Sequence, residues 1–239
     1  MMNELEQKVN QHSMQGLLKA KSRDFAGAVA EFNQAIALAP DFAPLYYNRG
    51  RAYEDQGNAA AALADYDRAL GLNPQYDQAY NNRAGLRLRR GDMAGAIADW
   101  TAIVQRKPDF FEAYYNRGMA YCSTRTREGV QHCIADMTQA LRCAPPNLHY
   151  QIHQDRGVAY SLLGAEFGEQ AAFVQAEADL REAINKGSLF AYFARAKLYE
   201  AMGKNAQAVA DLKAFLARGG GQHYGNLPQV QAMLRALDR

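Results

Sequence analysis

A pattern of about 34 residues recurs along the chain. Its clearest copy contains, in order, Tyr46, Arg49, Gly50, Tyr53, Ala62, Tyr66 and Pro74. The small residue Gly50 returns as Ala84 and Gly118, at the same place in the next two copies. A period of this length, with small residues at two fixed positions, neighbouring aromatics and a closing proline, predicts helical hairpins that stack into a solenoid.

Six copies can be followed, at about 9–42, 43–76, 77–110, 111–147, 150–187 and 189–220. Repeat four has three extra residues, which we place in the turn from Ser123 to Gly129, because three residues inside a helix would rotate its packing face by roughly 300°. Repeat five is seven residues longer, almost two turns, so we predict that the segment from Gly164 to Val174 extends one of its two helices. An amphipathic segment at 226–239 predicts a helix that caps the array.

These residues resemble the tetratricopeptide repeat family, in the bacterial-type form with Arg-Gly in the first helix of a repeat (helix A) and Asp in the second (helix B). The resemblance implies an all-α fold, a right-handed α-solenoid of about six helix-turn-helix repeats with a C-terminal capping helix. We expect one domain over 1–239. The resemblance also implies that the A helices line a concave groove that binds extended peptides or partner helices.

An arginine precedes the small residue of helix A in five repeats, on a face where an unpaired charge is not expected. The same five repeats have an aspartate three residues after the small residue of helix B. The predicted ion pairs are Arg49 with Asp65, Arg83 with Asp99, Arg117 with Asp136, Arg156 with Asp179, and Arg195 with Asp211. A ladder of arginines for phosphates is the less favoured alternative, because the aspartates already neutralise the charge.

The phase of helix A also predicts which residues face the groove. If Tyr46, Gly50 and Tyr53 form the packing stripe, the opposite stripe faces solvent. The predicted groove residues are Tyr47, Asn48, Arg51, Asn81, Asn82, Arg89, Tyr115, Asn116, Met119, Phe190 and Phe193. Asn48, Asn82 and Asn116 recur once per repeat, and a row of amides can match the donors and acceptors of an extended peptide. The alternative is that these asparagines satisfy nearby backbone groups.

No catalytic motif is present: the chain lacks a phosphate loop, an H-E-x-x-H pair and a G-x-S-x-G turn. We therefore expect no enzymatic activity and no cofactor. His149 and His153 lie four residues apart, with Cys122, Cys133 and Cys143 near them in the sequence, but without the short spacings of a metal site. We predict no metal site there, and a metal or redox role for these five residues stays open.

Charge and hydropathy limit the possible partners. The chain has 27 Lys and Arg against 25 Asp and Glu, a net charge of +2, which gives no general attraction to nucleic acid or anionic membranes. No stretch approaches the roughly 18 apolar residues of a membrane span, and the first ten residues do not resemble a signal peptide. Together with three cysteines, an odd number, this predicts a cytoplasmic protein without membrane partners.

The sequence thus predicts a scaffold or adaptor that binds another protein or a peptide. An RNA-binding helical-repeat protein is one alternative. Its basic patch would consist of Arg87, Arg89, Arg90, Arg125 and Arg127, but the groove is interrupted by Glu54, Asp55, Glu112 and Asp155. A self-assembling structural subunit is the other, because homo-oligomerisation is compatible with the pattern. The partner and the pathway are not encoded in the fold.

Overall fold

The computed structural model describes residues 3–237, and within this range the chain forms fourteen α-helices, one short 3-10 helix and no strand. The helices are α1 Glu4–Lys21, α2 Phe25–Leu38, α3 Ala43–Asp55, α4 Ala59–Leu72, α5 Asp77–Arg89, α6 Met93–Arg106, α7 Phe111–Ser123, α8 Arg127–Cys143, α9 His149–Phe167, α10 Ala172–Asn185, α11 Phe190–Ala201, α12 Asn205–Ala217, α13 Gly220–His223 and α14 Leu227–Leu237. Consecutive helices pack in pairs, which confirms the predicted helical-repeat fold. No helix in this range has the length and apolar character needed to cross a bilayer.

The chain divides into two compact units, residues 1–106 and residues 107–239. The first unit contains α1 to α6, three helical hairpins whose first helices are α1, α3 and α5. The second contains α7 to α14, with three further hairpins whose first helices are α7, α9 and α11. The single domain over 1–239 stays a prediction, and its residues 1, 2, 238 and 239 lie outside the described range.

The turn between the helices of a hairpin follows from its residues. Between α3 and α4, Gly57 has φ of +83°, a left-handed conformation that glycine adopts without steric cost. Asn58 then accepts a hydrogen bond from the N–H of Ala61 at 3.2 Å and caps α4. Glycine and the capping amide together set where helix A ends and helix B begins.

Small residues let the paired helices approach closely. A Cβ atom added to Gly50 on α3 would lie 2.9 Å from the ring of Tyr66 on α4, and Tyr66 is fully buried. In the fifth hairpin, a Cβ at Gly157 would lie 2.8 Å from Leu180. The aromatic and aliphatic partners of these glycines are therefore core residues rather than a binding surface.

The three extra residues of repeat four fall in the predicted segment but are helical. Only three residues separate α7 from α8, as between α3 and α4, whereas α8 has 17 residues and α4 has 14. The prediction of a longer turn is therefore wrong. The added helical turn lies at the beginning of α8, so it does not rotate the residues after it, and Cys133 and Met137 remain fully buried.

Most of the seven extra residues of repeat five lengthen helix A. Helix α9 has 19 residues where α7 has 13, and α10 has 14. Gly164 lies two helical turns after Gly157 and repeats its role, because a Cβ there would lie 2.4 Å from the ring of Phe173. The extension thus adds a second close contact between α9 and α10.

Helices α13 and α14 cover the end of repeat six. Val230 of α14 is fully buried in a cluster with Phe193, Leu212 and Phe215. Three further residues of α14 pack against this cluster: Met233, Leu234 and Leu237. The apolar stripe of α14 thus faces the last hairpin.

Candidate functional site

Each of the five packing-face arginines makes a two-point contact with the aspartate of its own repeat. The Nε–Oδ2 distances lie between 2.7 and 2.9 Å and the Nη2–Oδ1 distances between 2.6 and 2.8 Å. The pairs are Arg49–Asp65, Arg83–Asp99, Arg117–Asp136, Arg156–Asp179 and Arg195–Asp211. All five aspartates are buried. Two parallel charge-assisted bonds fix the orientation of helix A against helix B.

A third donor of three of these arginines reaches the preceding repeat. Nη1 donates to a side-chain oxygen of the previous helix B at 2.6, 2.6 and 3.0 Å. The acceptors are Asn33 for Arg49, Asp67 for Arg83, and Thr138 for Arg156. Each acceptor stands two residues after the acidic residue of its repeat. Sequence reasoning missed this link, and the polar residue at that fixed position was the signal.

The ion pairs hold the arginines in the charged state. The hydrogen bond with Asp65 raises the pKa of Arg49, and the hydrogen bond with Asp136 does the same for Arg117. The carboxylate of Asp65 is 7% exposed and its arginine 20%. The charge of each guanidinium group is therefore already neutralised by the aspartate of its own repeat, which argues against a ladder of arginines that binds phosphates.

Asp179 has two side-chain partners, His153 and Arg156. Burial raises its pKa, but hydrogen bonds from His153 and Arg156, at 2.8 and 2.7 Å, outweigh burial, so the pKa lies below its usual value. A carboxyl group with a lowered folded-state pKa stabilises the protein at neutral pH. That contribution is lost as the pH falls through the folded-state pKa.

The predicted groove residues of α3 and α5 contact each other. Asn82 Nδ2 donates to Tyr47 Oη at 3.3 Å, and the Arg51 guanidinium lies 5.9 Å from the centre of the Tyr47 ring. Arg89 pairs with Glu54. The half-buried amide of Asn48 has no hydrogen-bond partner within residues 3–237.

Asn81 does not present a free amide. Its Oδ1 accepts a hydrogen bond from Trp100 Nε1 at 3.0 Å, across the hairpin of α5 and α6. Trp100 is 2% exposed, so its N–H needs an acceptor inside the repeat. The assignment of Asn81 to the groove is therefore corrected to a structural role.

On α7, the side chain of Tyr115 is hydrogen-bonded to another helix, whereas in the described part of the chain those of Asn116 and Met119 are not. Tyr115 Oη donates to Asp155 Oδ2 and accepts from Gln151 Nε2, both at 2.7 Å, which links α7 to α9. Burial and the nearby carboxylate raise the pKa of Tyr115. Asn116 has no hydrogen-bond partner in the described part of the chain, and Met119 is 39% exposed.

The two phenylalanines of α11 do not line an open groove. Phe193 is 5% exposed and packs 5.6 Å, centre to centre, from Phe215. Phe190 is half-buried, with its ring 5.3 Å from that of Tyr224. The prediction is wrong for Phe193, because it is buried in a cluster with Phe215 of α12 and Val230 of α14, and Phe190 is partly covered by Tyr224.

The histidines and cysteines have other partners than a metal. His149 Nε2 lies 3.0 Å from a backbone carbonyl, and His153 is held by Asp179. A hydrogen bond between Cys122 and Cys133 lowers the pKa of the first thiol and raises that of the second. Among the residues that the structure describes, no three metal-ligating side chains come together.

A pH dependence follows from Asp155, whose pKa is raised by burial despite hydrogen bonds from Tyr115 and Gln154. Because the folded state holds this proton more tightly than the unfolded state, stability from this group is present at low pH and lost as the pH rises through the folded-state pKa. Asp155→Asn should remove that loss. Urea unfolding at about pH 4 and about pH 7 measures the difference in unfolding free energy between the two pH values.

The matched control for this prediction is Asp109→Asn, which neutralises an exposed aspartate of the same unit. It should leave the difference in unfolding free energy between the two pH values unchanged. Equal pH dependence in Asp155→Asn and the parent protein would contradict the role of Asp155.

Comparison with known proteins agrees with this architecture. The family model described as "Tetratricopeptide repeat" matches residues 13–77 and 47–101. Pseudomonas aeruginosa pilF has a TM-score of 0.70 at 12% identity, covering 98% of this chain and 100% of that one. MamA from Desulfovibrio magneticus RS-1 has a TM-score of 0.63 at 18% identity, covering 79% of this chain and 100% of that one.

A third solved structure is a thermophilic TPR protein of Thermus thermophilus. Its TM-score is 0.54 at 23% identity, covering 82% of this chain and 98% of that one. At these identities the likeness concerns the fold alone. No curated protein matches the chain.

Proposed function

Because the chain belongs to the tetratricopeptide repeat family, we propose that it is a non-enzymatic scaffold or adaptor whose A helices bind an extended peptide or a partner helix. Proteins with this fold generally serve as scaffolds for protein–protein interaction. The observation that carries the finer proposal is a pair of unpartnered amides at equivalent positions, Asn48 on α3 and Asn116 on α7. An unpartnered amide beside an aromatic side chain can bind the backbone of a peptide.

The surface around Asn48 is held in place before any ligand binds. The Tyr47 ring lies 4.9 Å from that of Tyr76, and its hydroxyl accepts from Asn82. The guanidinium of Arg51 lies over the same ring. A rigid surface loses little side-chain entropy on binding, which favours affinity for a given contact area.

Helix α1 supplies apolar side chains at the corresponding positions. Met14 and Leu17 stand one repeat before Asn48 and Arg51, and they are 62% and 46% exposed. In the first unit, the groove face thus combines apolar side chains on α1 with amides on α3 and α5. This combination suits a partner segment that has both an apolar stripe and accessible polar groups.

The ion pairs of α5 argue against the RNA-binding alternative. Arg87 Nη1 lies 2.9 Å from Asp99, and Arg89 pairs with Glu54. A basic patch that attracts phosphates needs charges that are not already neutralised. We therefore place the partner among proteins and peptides.

Substitution of the three groove asparagines tests the proposal. The triple variant Asn48→Ala, Asn82→Ala and Asn116→Ala should lose partners that the intact chain retains, since each amide removed costs about 0.5 to 1.5 kcal/mol of binding. Affinity capture followed by quantitative mass spectrometry compares the two proteins, and the affinity for each captured partner is then measured with purified protein.

The matched control removes three exposed amides from B helices: Gln34→Ala, Gln105→Ala and Gln175→Ala. This variant should retain the partners of the intact chain. If the asparagine variant and the control retain the same partners with the same affinity, the groove proposal fails.

A further inference from the structure

A polar cleft of about 550 Å³ opens in the second unit. It lies between the start of α9, the turn before α11, the end of α12 and helix α13. Its polar lining comes from Tyr150, Gln154, Ser188, Arg218, Gln222 and His223. None of the predicted groove residues belongs to it.

The cleft has one permanently charged lining residue, the cation Arg218. The described residues that line it include no aspartate or glutamate. Arg218 Nη1 donates to the carbonyl of Ala214 at 3.1 Å, and the guanidinium lies 4.8 Å from the centre of the Tyr192 ring. Within residues 3–237 Arg218 has no carboxylate partner, unlike the five packing-face arginines.

The remaining polar groups of the cleft are partly engaged by one another. Gln154 Oε1 already accepts from Ser188 Oγ at 2.6 Å, and Gln154 Nε2 donates to Asp155 at 3.2 Å. Ser188 Oγ in turn accepts from the N–H of Ala191. These bonds fix one wall of the cleft, while the guanidinium of Arg218 and the amide of Gln222 stay available. Because a guanidinium only donates, negatively charged acceptor oxygens of a ligand are complementary to Arg218.

We propose that this cleft receives an acidic side chain of a bound peptide, with Arg218 as its main partner. A carboxylate matches the planar guanidinium with two parallel hydrogen bonds, and the rings of Tyr150 and Tyr224 offer apolar contact to the neighbouring residue of the peptide. The inference rests on the proposed function, since Gln154 lies on α9, one of the A helices along which the peptide would run.

Blocked peptides test the inference by NMR titration of the full chain. The probes are acetyl-Gly-Leu-Glu-Leu-Gly-amide and its Gln counterpart, which differ only in the carboxylate. The Glu peptide should shift the amide resonances of Gly187 and Gly219, which line the cleft. The Gln peptide should bind about tenfold more weakly, as expected for one lost charge-assisted contact.

Arg218→Gln should weaken the binding of the Glu peptide by a similar factor. Arg235→Gln, which removes an exposed charge of α14, should leave the affinity for this peptide unchanged. Equal binding of the two blocked peptides, shifts confined to other amides, or full binding to Arg218→Gln would overturn the inference. Tighter binding of inorganic phosphate, or of the Gln peptide with a free C-terminal carboxylate, would assign the cleft to another anion and also overturn it.

The two proposals fail separately. If partner capture depends on the groove asparagines while the Glu peptide does not bind, only the acidic-side-chain inference fails. If the Glu peptide binds at the cleft while the asparagine variant keeps every partner, only the groove proposal fails.

Discussion

Asp99→Ala is expected to lower the free energy of unfolding by about 3 to 5 kcal/mol. The carboxylate is 4% exposed and accepts hydrogen bonds from Arg83 at 2.9 and 2.6 Å and from Arg87 at 2.9 Å. Its removal takes from two half-buried guanidinium groups the one buried carboxylate that they share, and an incompletely compensated charge is more costly than a missing pair. Urea unfolding followed by the fluorescence of Trp100, the only tryptophan, reports on this repeat directly.

Asp67→Ala is the matched control, because it removes another acid that binds the same arginine. Asp67 accepts from Arg83 Nη1 at 2.6 Å, but its side chain is 55% exposed. Solvent screens such a pair, so the expected cost is below about 1 kcal/mol. Equal unfolding curves for Asp99→Ala and Asp67→Ala would show that burial does not set the strength of these pairs.

Phe215→Ala is also expected to cost about 3 to 5 kcal/mol, as deletion of a buried aromatic ring does. Phe215 is fully buried, with ring centres of Phe193 and Tyr224 at 5.6 and 5.8 Å, and Gly220 lies directly against it. The cavity removes the surface on which α13 and α14 pack. Amide hydrogen exchange in 226–237 should therefore increase more than the exchange of α7 and α8.

Val174→Ala provides the comparison for this variant, since Val174 is 69% exposed in the same unit. A surface substitution of this kind is expected to change stability by less than about 0.5 kcal/mol. If Phe215→Ala leaves the exchange of the 226–237 segment at the parent level, the ring is not what holds the capping segment.

Much of the fold could be predicted because its determinants recur in the sequence. Gly50 must be small since Tyr66 lies against it, and the same steric requirement returns at Gly157 against Leu180. The arginine and aspartate positions recur with the repeat, and the structure places each pair in two-point contact. The extra turn of α8 was less predictable, because the first residues of a helix can be added without moving the packing face behind them.

The site was predictable only in part, because exposure depends on what else folds over a surface. The helix phase predicts that Asn48 and Asn116 face the groove, and the structure leaves both side chains half-buried. Helix phase could not show that Trp100 donates a hydrogen bond to the amide oxygen of Asn81, or that Tyr115 donates one to Asp155. Those partners come from a neighbouring helix, and helical periodicity carries no information about them.

By itself, the sequence determined the repeat, the register of its helices and the charge matching, since these depend on side-chain size and spacing within one hairpin. Only the tertiary structure decided which A-helix faces stay open. Phe193 shows why: its position on α11 is equivalent to that of the half-buried Tyr47 on α3, but Phe193 is buried in a cluster with residues of α12 and α14. Whether a surface is covered depends on contacts between distant segments, and no local pattern encodes those.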